Sequence, residues 1–244
     1  MSARTAAEAS GTSGGEGLAR AFYRFRQNPL SLVGLVLVAL LLFLAIFGPL
    51  VAPYPEHLAG EVSVLDRFKP PSAAFWFGTN EVGQDILSLV VAGAQVSLLS
   101  AMGVIVIATL IGTLIGLAAG YFGTWIDEVL MRFTDLILTL PALILAMAIA
   151  AGLGPSIVNM VIALGLAWWP GFARLVRGEV IGLKEEQFVV AARAQGAGAG
   201  RIIFRHILPN VTSPIIVKMS LDVGFAILAV ASLGFIGIGV RPPT

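Results

Sequence analysis

Lys184–Asn210, KEEQFVVAARAQGAGAGRIIFRHILPN, is polar and helical in pattern yet lies between long apolar runs, and its reading decides the fold. It carries four of the chain's fifteen basic residues and closes on a Leu-Pro step that opens another apolar run. Glu185 and Glu186 stand where a helix would begin and favour the positive end of its dipole, and good helix formers follow as far as Gly196. At helical spacing Phe188, Ala192 and Gln195 share one face with Ala191 beside them, an aromatic knob next to a small-residue surface. Gly196, Gly198 and Gly200 are expected to break the helix before Arg201–Leu208. Docking into a partner's groove and an ordinary loop between spans are both open on these residues alone.

Outward from this stretch the chain is a membrane protein. Of 244 residues 57% are hydrophobic and 12% charged, the mean hydropathy is +0.93, and the apolar runs are long enough to cross a hydrocarbon layer of roughly 30 Å. Gly and Pro between periodic apolar segments, without ten-residue alternation, point to an all-α transmembrane helical bundle rather than a barrel. Five spans are expected, at about 30–52, 96–119, 129–151, 157–177 and 209–240. With no cysteine, disulfides, thiolate metal sites and Cys nucleophiles are excluded. The net charge of +1 is silent about partners.

Residues 1–28 read as a cytoplasmic tail, of which 1–17 are too polar and small to bury a core and are expected to be disordered. Arg20, Arg24 and Arg26 alternate with Phe22, Tyr23 and Phe25 before the first span, a basic and aromatic collar typical of the inner face. That span is longer than the core of a cleaved signal peptide. Residues 53–95 read as an external loop with an amphipathic helix at 86–95, in which Phe75, Trp76 and Phe77 are taken as interfacial anchors rather than ligand contacts. Spans two and three join through GYFGTWIDE, where the spacings Glu128–Arg132 and Arg132–Asp135 suggest local pairing and no site. Pro170 is expected to bend the fourth span. In the coupling region 178–208 and its approach, six basic residues stand against three acidic ones, placing it on the same side as the N-terminus. Lys218 and Asp222 lie at i,i+4 inside the last span. Mutual pairing would lower the burial cost of each, which for a lone central charge is roughly 2.5–3.5 kcal/mol; lining a water-filled path is the other reading.

Several motifs occur in order: FGTNEVGQDILS with VAGAQVSL behind it, WWPGFARLVRGEV, FVVAARAQGAGAGRIIFRHILPN and ASLGFIGIGVRPPT. From Asn28 to Thr244 this series resembles the dipeptide, oligopeptide and nickel permease family of ATP-binding-cassette importers, and within it the type named for the C subunit. The resemblance implies a type I importer permease fold in a bacterial inner membrane, with the N-terminus cytoplasmic. It also implies a second, homologous permease subunit, two cytoplasmic ATPase subunits holding ATP and Mg, and an external solute-binding protein. Residues 185–209 match the family's EAA motif at Ala191, Ala192, Gly196, Leu208 and Pro209, with Val190 in place of the first Glu and His206 in place of an Ile. Glu185, Glu186, Phe188, Ala191, Ala192, Arg193 and Gly196 are then the expected ATPase-coupling residues, and Lys218 and Asp222 possible pathway residues. Gln84 replaces an Arg common in relatives, and relatives continue past PPT into a sixth span absent here, which by counting puts the C-terminus outside.

No phosphate loop G-x-x-x-x-G-K-[ST] is present, so neither a nucleotide cofactor nor catalysis is expected in this chain. No metal is expected, because His57 and His206 fall on opposite faces of this topology. Membrane lipid is an expected partner and nucleic acid is not. An ion-coupled secondary transporter using Lys218 and Asp222 is the alternative, although inverted repeats are not evident.

Overall fold

The computed structural model describes Tyr23 and residues 25–239. The tail 1–17, most of the basic collar, and the residues after Gly239 lie outside that range. The chain divides into two compact units, 1–95 and 96–244.

In the first unit, α1 (Pro29–Val51) starts where Asn28 Oδ1 accepts the Leu30 N–H at 3.0 Å and Pro29 supplies a first-turn residue that needs no donor. Its 23 residues contain no ionisable group and reach about 34 Å, enough to span the hydrocarbon layer. Gly48 lets α1 close on the backbone at Val91, where a Cβ would meet the Val91 carbonyl oxygen at 2.5 Å. One helical turn, α2 (Pro55–Leu58), and a tight turn at Val64–Asp66 follow. The next helix, α3 (Ile86–Phe122), begins ten residues before the expected span and absorbs the separate amphipathic helix expected at 86–95. Asp85 caps it, with Oδ2 accepting the Ser88 N–H at 2.8 Å, and Gln95 alone does not interrupt a run of helix formers.

In the second unit α6 (Ile157–Leu183) is the central helix, touched by α4 (Thr124–Leu138), α5 (Ala142–Leu153) and α9 (Leu208–Phe235). Gly112, Gly116 and Gly120 of α3 repeat every four residues and face α6: Cβ atoms there would lie 2.5 Å from Phe172 Cβ, 2.6 Å from the Ala173 carbonyl oxygen and 2.7 Å from Val180 Cβ. Close approach of two backbones is what small residues at this spacing permit. Around the contact lies a core that includes Ile105, Ala146, Leu164, Phe172, Ala226 and Leu233.

Three expected boundaries change. The span expected at 129–151 is two helices, α4 and α5, meeting at 89°. Pro141 has no N–H to continue α4 and disfavours helix in the residue before it, and Thr139 closes α4 by donating its hydroxyl to the Leu136 carbonyl at 2.6 Å. Four described helices are long and apolar enough to cross a membrane, or five if this bent pair counts as one span. The helix of the fourth expected span, α6, runs through Pro170 to Leu183, taking the first residues of the region expected as 178–208. Finally, Pro209 does not mark a fresh start. Helix begins at Ala199 with α8 (Ala199–Ile202) and passes through a wider turn at Ile203–Ile207, where the Leu208 N–H reaches the Ile203 carbonyl. It then continues as α9, ending at Phe235 rather than near 240. The widened turn accommodates Pro209, whose ring would otherwise press on the carbonyl four residues earlier.

Candidate functional site

Between α6 and α8 lies α7 (Gln187–Ala194), with Glu186 at its N-cap and Glu185 in the turn before it. Its attachment is apolar. Val189 is 0% exposed and joins Leu117, Val176, Val180, Ile202, Ile207 and Val211 in a second core cluster, so side chains of α3, α6, α7, α8 and α9 meet there. Full burial of a valine contributes about 1.5–3 kcal/mol, a large share of what could hold so short a helix. Ala192, one turn on, is half-buried against the same cluster, as is Ala197.

Gly196 ends α7. Its φ of +81° is left-handed, its N–H donates to the Arg193 carbonyl at 3.0 Å, and the Ala197 N–H donates to the Ala192 carbonyl at 3.0 Å. This pair of bonds closes the helix's last carbonyls as a Schellman turn. Of the three glycines expected to break the helix, only Gly196 has a positive φ; Gly198 caps α8 in extended conformation and Gly200 lies within it.

What α7 leaves outside is as informative as what it buries. Phe188 is 42% exposed, and Ala191, Arg193, Glu185 and Glu186 are also exposed. Ala192 departs from the expected smooth contact face because it turns partly inward, whereas Phe188 and Gln195 do not. Val190, in the position of the family's Glu, is 48% exposed. Beside α7 a concavity of about 250 Å³ is lined by Ala192, Gln195, Arg201, Arg205 and His206, giving it a basic wall.

Two ion pairs fasten α6 to α4. Arg177 donates to both carboxylate oxygens of Asp127, at 2.5 and 2.6 Å, and Arg174 donates to Asp135 at 2.6 Å. Of the two pairings expected inside α4, Glu128–Arg132 forms at 2.9 Å, whereas Asp135 meets Arg174 instead of Arg132. Sequence reasoning missed Val189, Asp127 and Asp135 as structural anchors. The i,i+3 spacing of Val189 and Ala192 was a signal for the first; for the carboxylates none was local, since their partners lie 50 and 39 residues away.

Lys218 and Asp222 do pair. Lys218 Nζ lies 3.0 Å from Asp222 Oδ2, with the side chains 28% and 12% exposed. The contact is an ion pair without hydrogen-bond alignment, since Oδ2 has no hydrogen-bond partner among the described residues. The ammonium also stands 4.9 Å over the centre of the Phe172 ring, and a Cβ on Gly171 would come within 3.5 Å of it. The pair therefore sits against α6 just after Pro170, where ring and carboxylate offset its desolvation.

A model of the binding-protein-dependent transport system inner membrane component family matches residues 112–244, and one for the N-terminal transmembrane domain of oligopeptide transport permease C matches residues 18–71. The chain is 45% identical over 223 residues to the dipeptide transport system permease protein DppC of Alkalihalophilus pseudofirmus, covering 91% of this chain and 72% of the other. It is 40% identical over 226 residues to a probable D,D-dipeptide transport system permease protein of Escherichia coli, covering 93% and 75%. With a glutathione transport system permease protein, also of Escherichia coli, identity is 40% over 221 residues, covering 91% and 72%.

Proposed function

The chain belongs to the binding-protein-dependent transport system inner membrane components, of the oligopeptide permease C type, and from that premise we propose that α7 couples its membrane bundle to a cytoplasmic ATPase. Membership makes it a multi-pass inner-membrane permease subunit of an ATP-binding-cassette importer rather than a catalyst. ATPase and solute-binding subunits are its partners in general terms.

In the proposed assembly this chain and a second, homologous permease form the two halves of a path. Two ATPase subunits bind ATP and Mg below it, and an external binding protein delivers solute above. The N-terminus is cytoplasmic because Arg20, Arg24 and Arg26 and the basic residues of 174–205 would then share the inner face. The related proteins are named for dipeptides, D,D-dipeptides and glutathione, so short peptides are the proposed solute class.

The observation that carries the coupling reading is the two-sidedness of α7, which is seated through Val189 while Phe188 is held out. Phe188 and Ala191 enter an ATPase groove, and Ala192 supports them from the half-buried side. Glu185, Glu186 and Arg193 form a polar rim, and Gly196 fixes the exit of the helix. Closure of the ATPases on ATP moves α7 as a body and switches the bundle between inward-open and outward-open arrangements.

Phe188→Asp tests this. The expected result is loss of ATPase subunits from the purified assembly and of ATP-driven peptide uptake in proteoliposomes, while the variant still accumulates in the membrane because Phe188 is not core. Retention of the ATPases at the wild-type ratio would sink the docking role. Uptake driven by a proton gradient without ATPase subunits would sink the importer reading in favour of an ion-coupled carrier.

A further inference from the structure

We propose that the loop between α1 and α3 carries a binding site for an alkylammonium group, built from Asp85, Tyr54 and Trp76. A pocket of about 310 Å³ opens there, lined by Pro53, Tyr54, Ala74, Trp76, Asp85 and Leu87 among others. That volume is at the lower end of the ~300–1,000 Å³ typical of small-ligand sites.

Asp85 supplies the chemistry. It is 1% exposed, and only half of its carboxylate is used. Oδ2 accepts the Ser88 N–H at 2.8 Å and the Ser88 hydroxyl at 2.7 Å, which caps α3. Oδ1 is buried without a hydrogen-bond partner among the described residues. His57 cannot serve it through Nδ1, because that nitrogen accepts the Asp85 N–H at 3.0 Å. A buried carboxylate oxygen without a donor is costly enough to mark either strain or a ligand position.

The surroundings select the ligand. No group of three His, Cys, Asp or Glu side chains suited to a metal occurs among the described residues, so a lone carboxylate would have to hold the ion. Two aromatic rings instead share the lining, and aromatic faces attract organic cations. Trp76 is 69% exposed, which leaves its ring open to a ligand in the pocket it lines. Tyr54 is held in place by its hydroxyl, which donates to the Ala74 carbonyl at 2.9 Å, and by its stack on His57 at 5.2 Å between ring centres. Gln84 fixes the turn beneath by donating to the carbonyls of His57 and Glu61, both at 3.2 Å. Its amide thus acts here by hydrogen bonding, not by charge.

An ammonium could come from a peptide amine or from an ethanolamine lipid headgroup, and the test separates them. The full chain in detergent is titrated calorimetrically with n-butylammonium and with n-butanol as the neutral counterpart. Saturable binding of the amine alone is expected. Asp85→Asn, which preserves a capping oxygen, should abolish it. Trp76→Ala, which leaves the cap untouched, should weaken it roughly two- to tenfold. Equal binding of the alcohol, no saturable binding, or an unchanged affinity in Asp85→Asn would overturn the proposal. In nanodiscs, displacement of the amine by phosphatidylethanolamine but not phosphatidylglycerol assigns the lipid source, and displacement by free dialanine assigns a peptide source. Displacement by neither would also overturn it. The coupling role of α7 is untouched by any of these results.

Discussion

At Gly196 the backbone turns at φ +81° with no atom within 4 Å of where a Cβ would stand, so a side chain there is opposed by torsion alone. Gly196→Ala is therefore expected to destabilise the end of α7 by about 1 kcal/mol, read as faster hydrogen exchange across Gln187–Ile202. Gly200→Ala should act with the opposite sign, because Gly200 is helical and unobstructed. The sequence showed three glycines in alternation, and the position of Gly196 after an eight-residue helical run was the feature that singled it out. At Asp66 the issue is charge. The Lys69 ammonium and the Ser63 hydroxyl both donate to its carboxylate and hold it below the usual carboxylate range. A depressed value contributes order that is fully present above the unfolded value, about pH 4, and is lost as pH falls through the folded one. In a titration of loop structure followed by tryptophan emission, the Asp66 contribution should be lost only below about pH 4.

Helix against helix, α3 and α6 meet along glycines, and the contact is backbone to backbone. A Cβ at Gly116 would stand 2.6 Å from the Ala173 carbonyl oxygen and 3.0 Å from the Arg177 nitrogen, neither of which can rotate away. Gly116→Ala should cost on the order of 1–3 kcal/mol, seen as reduced monodisperse yield after detergent extraction. Gly178→Ala on α6, helical and with nothing within 4 Å, should not lower that yield and is expected to stabilise slightly, as at Gly200. This spacing is present in the sequence but reads only as part of an apolar span, since hydropathy weighs glycine by transfer and not by the approach it permits. The break between α4 and α5 was legible too, in Pro141, yet the apolar run on either side concealed it. By contrast α1 and the position of helix α7 followed directly from composition and periodicity, because one is uniformly apolar and the other alternates at the helical period.

Over the second unit as a whole, two kinds of interaction are arranged differently. The Arg174–Asp135 and Arg177–Asp127 pairs each join two helices at a single contact, whereas the cluster around Val189 belongs to five helices at once. Lys218 and Asp222 differ from both, being a pair within α9 that leans on the Phe172 ring of α6. Lys218→Met alone strands a buried carboxylate and should lower folded yield sharply, by the ~3–5 kcal/mol of a broken buried pair, whereas Lys218→Met with Asp222→Leu should recover it. Recovery of fold without recovery of uptake, measured by fluorescence size exclusion beside a transport assay, would identify the pair as part of the path. The i,i+4 spacing of Lys218 and Asp222 was legible, but the partners of Arg174 and Arg177 could not be read locally, because complementary charges 39 and 50 residues apart leave no periodic trace. The cluster has a mechanical consequence. Close-packed side chains resist compression far more than separation, so a load pressing α7 inward reaches α3, α6 and α9 together through one valine. A load drawing α7 outward meets the burial of Val189 and the partial burial of Ala192, and then the chain on either side, Lys184–Glu186 and Gly196–Gly198. For the coupling proposed above, the seat is a stiff strut in compression and a yielding one in tension, so a push on α7 would be passed to the bundle more completely than a pull.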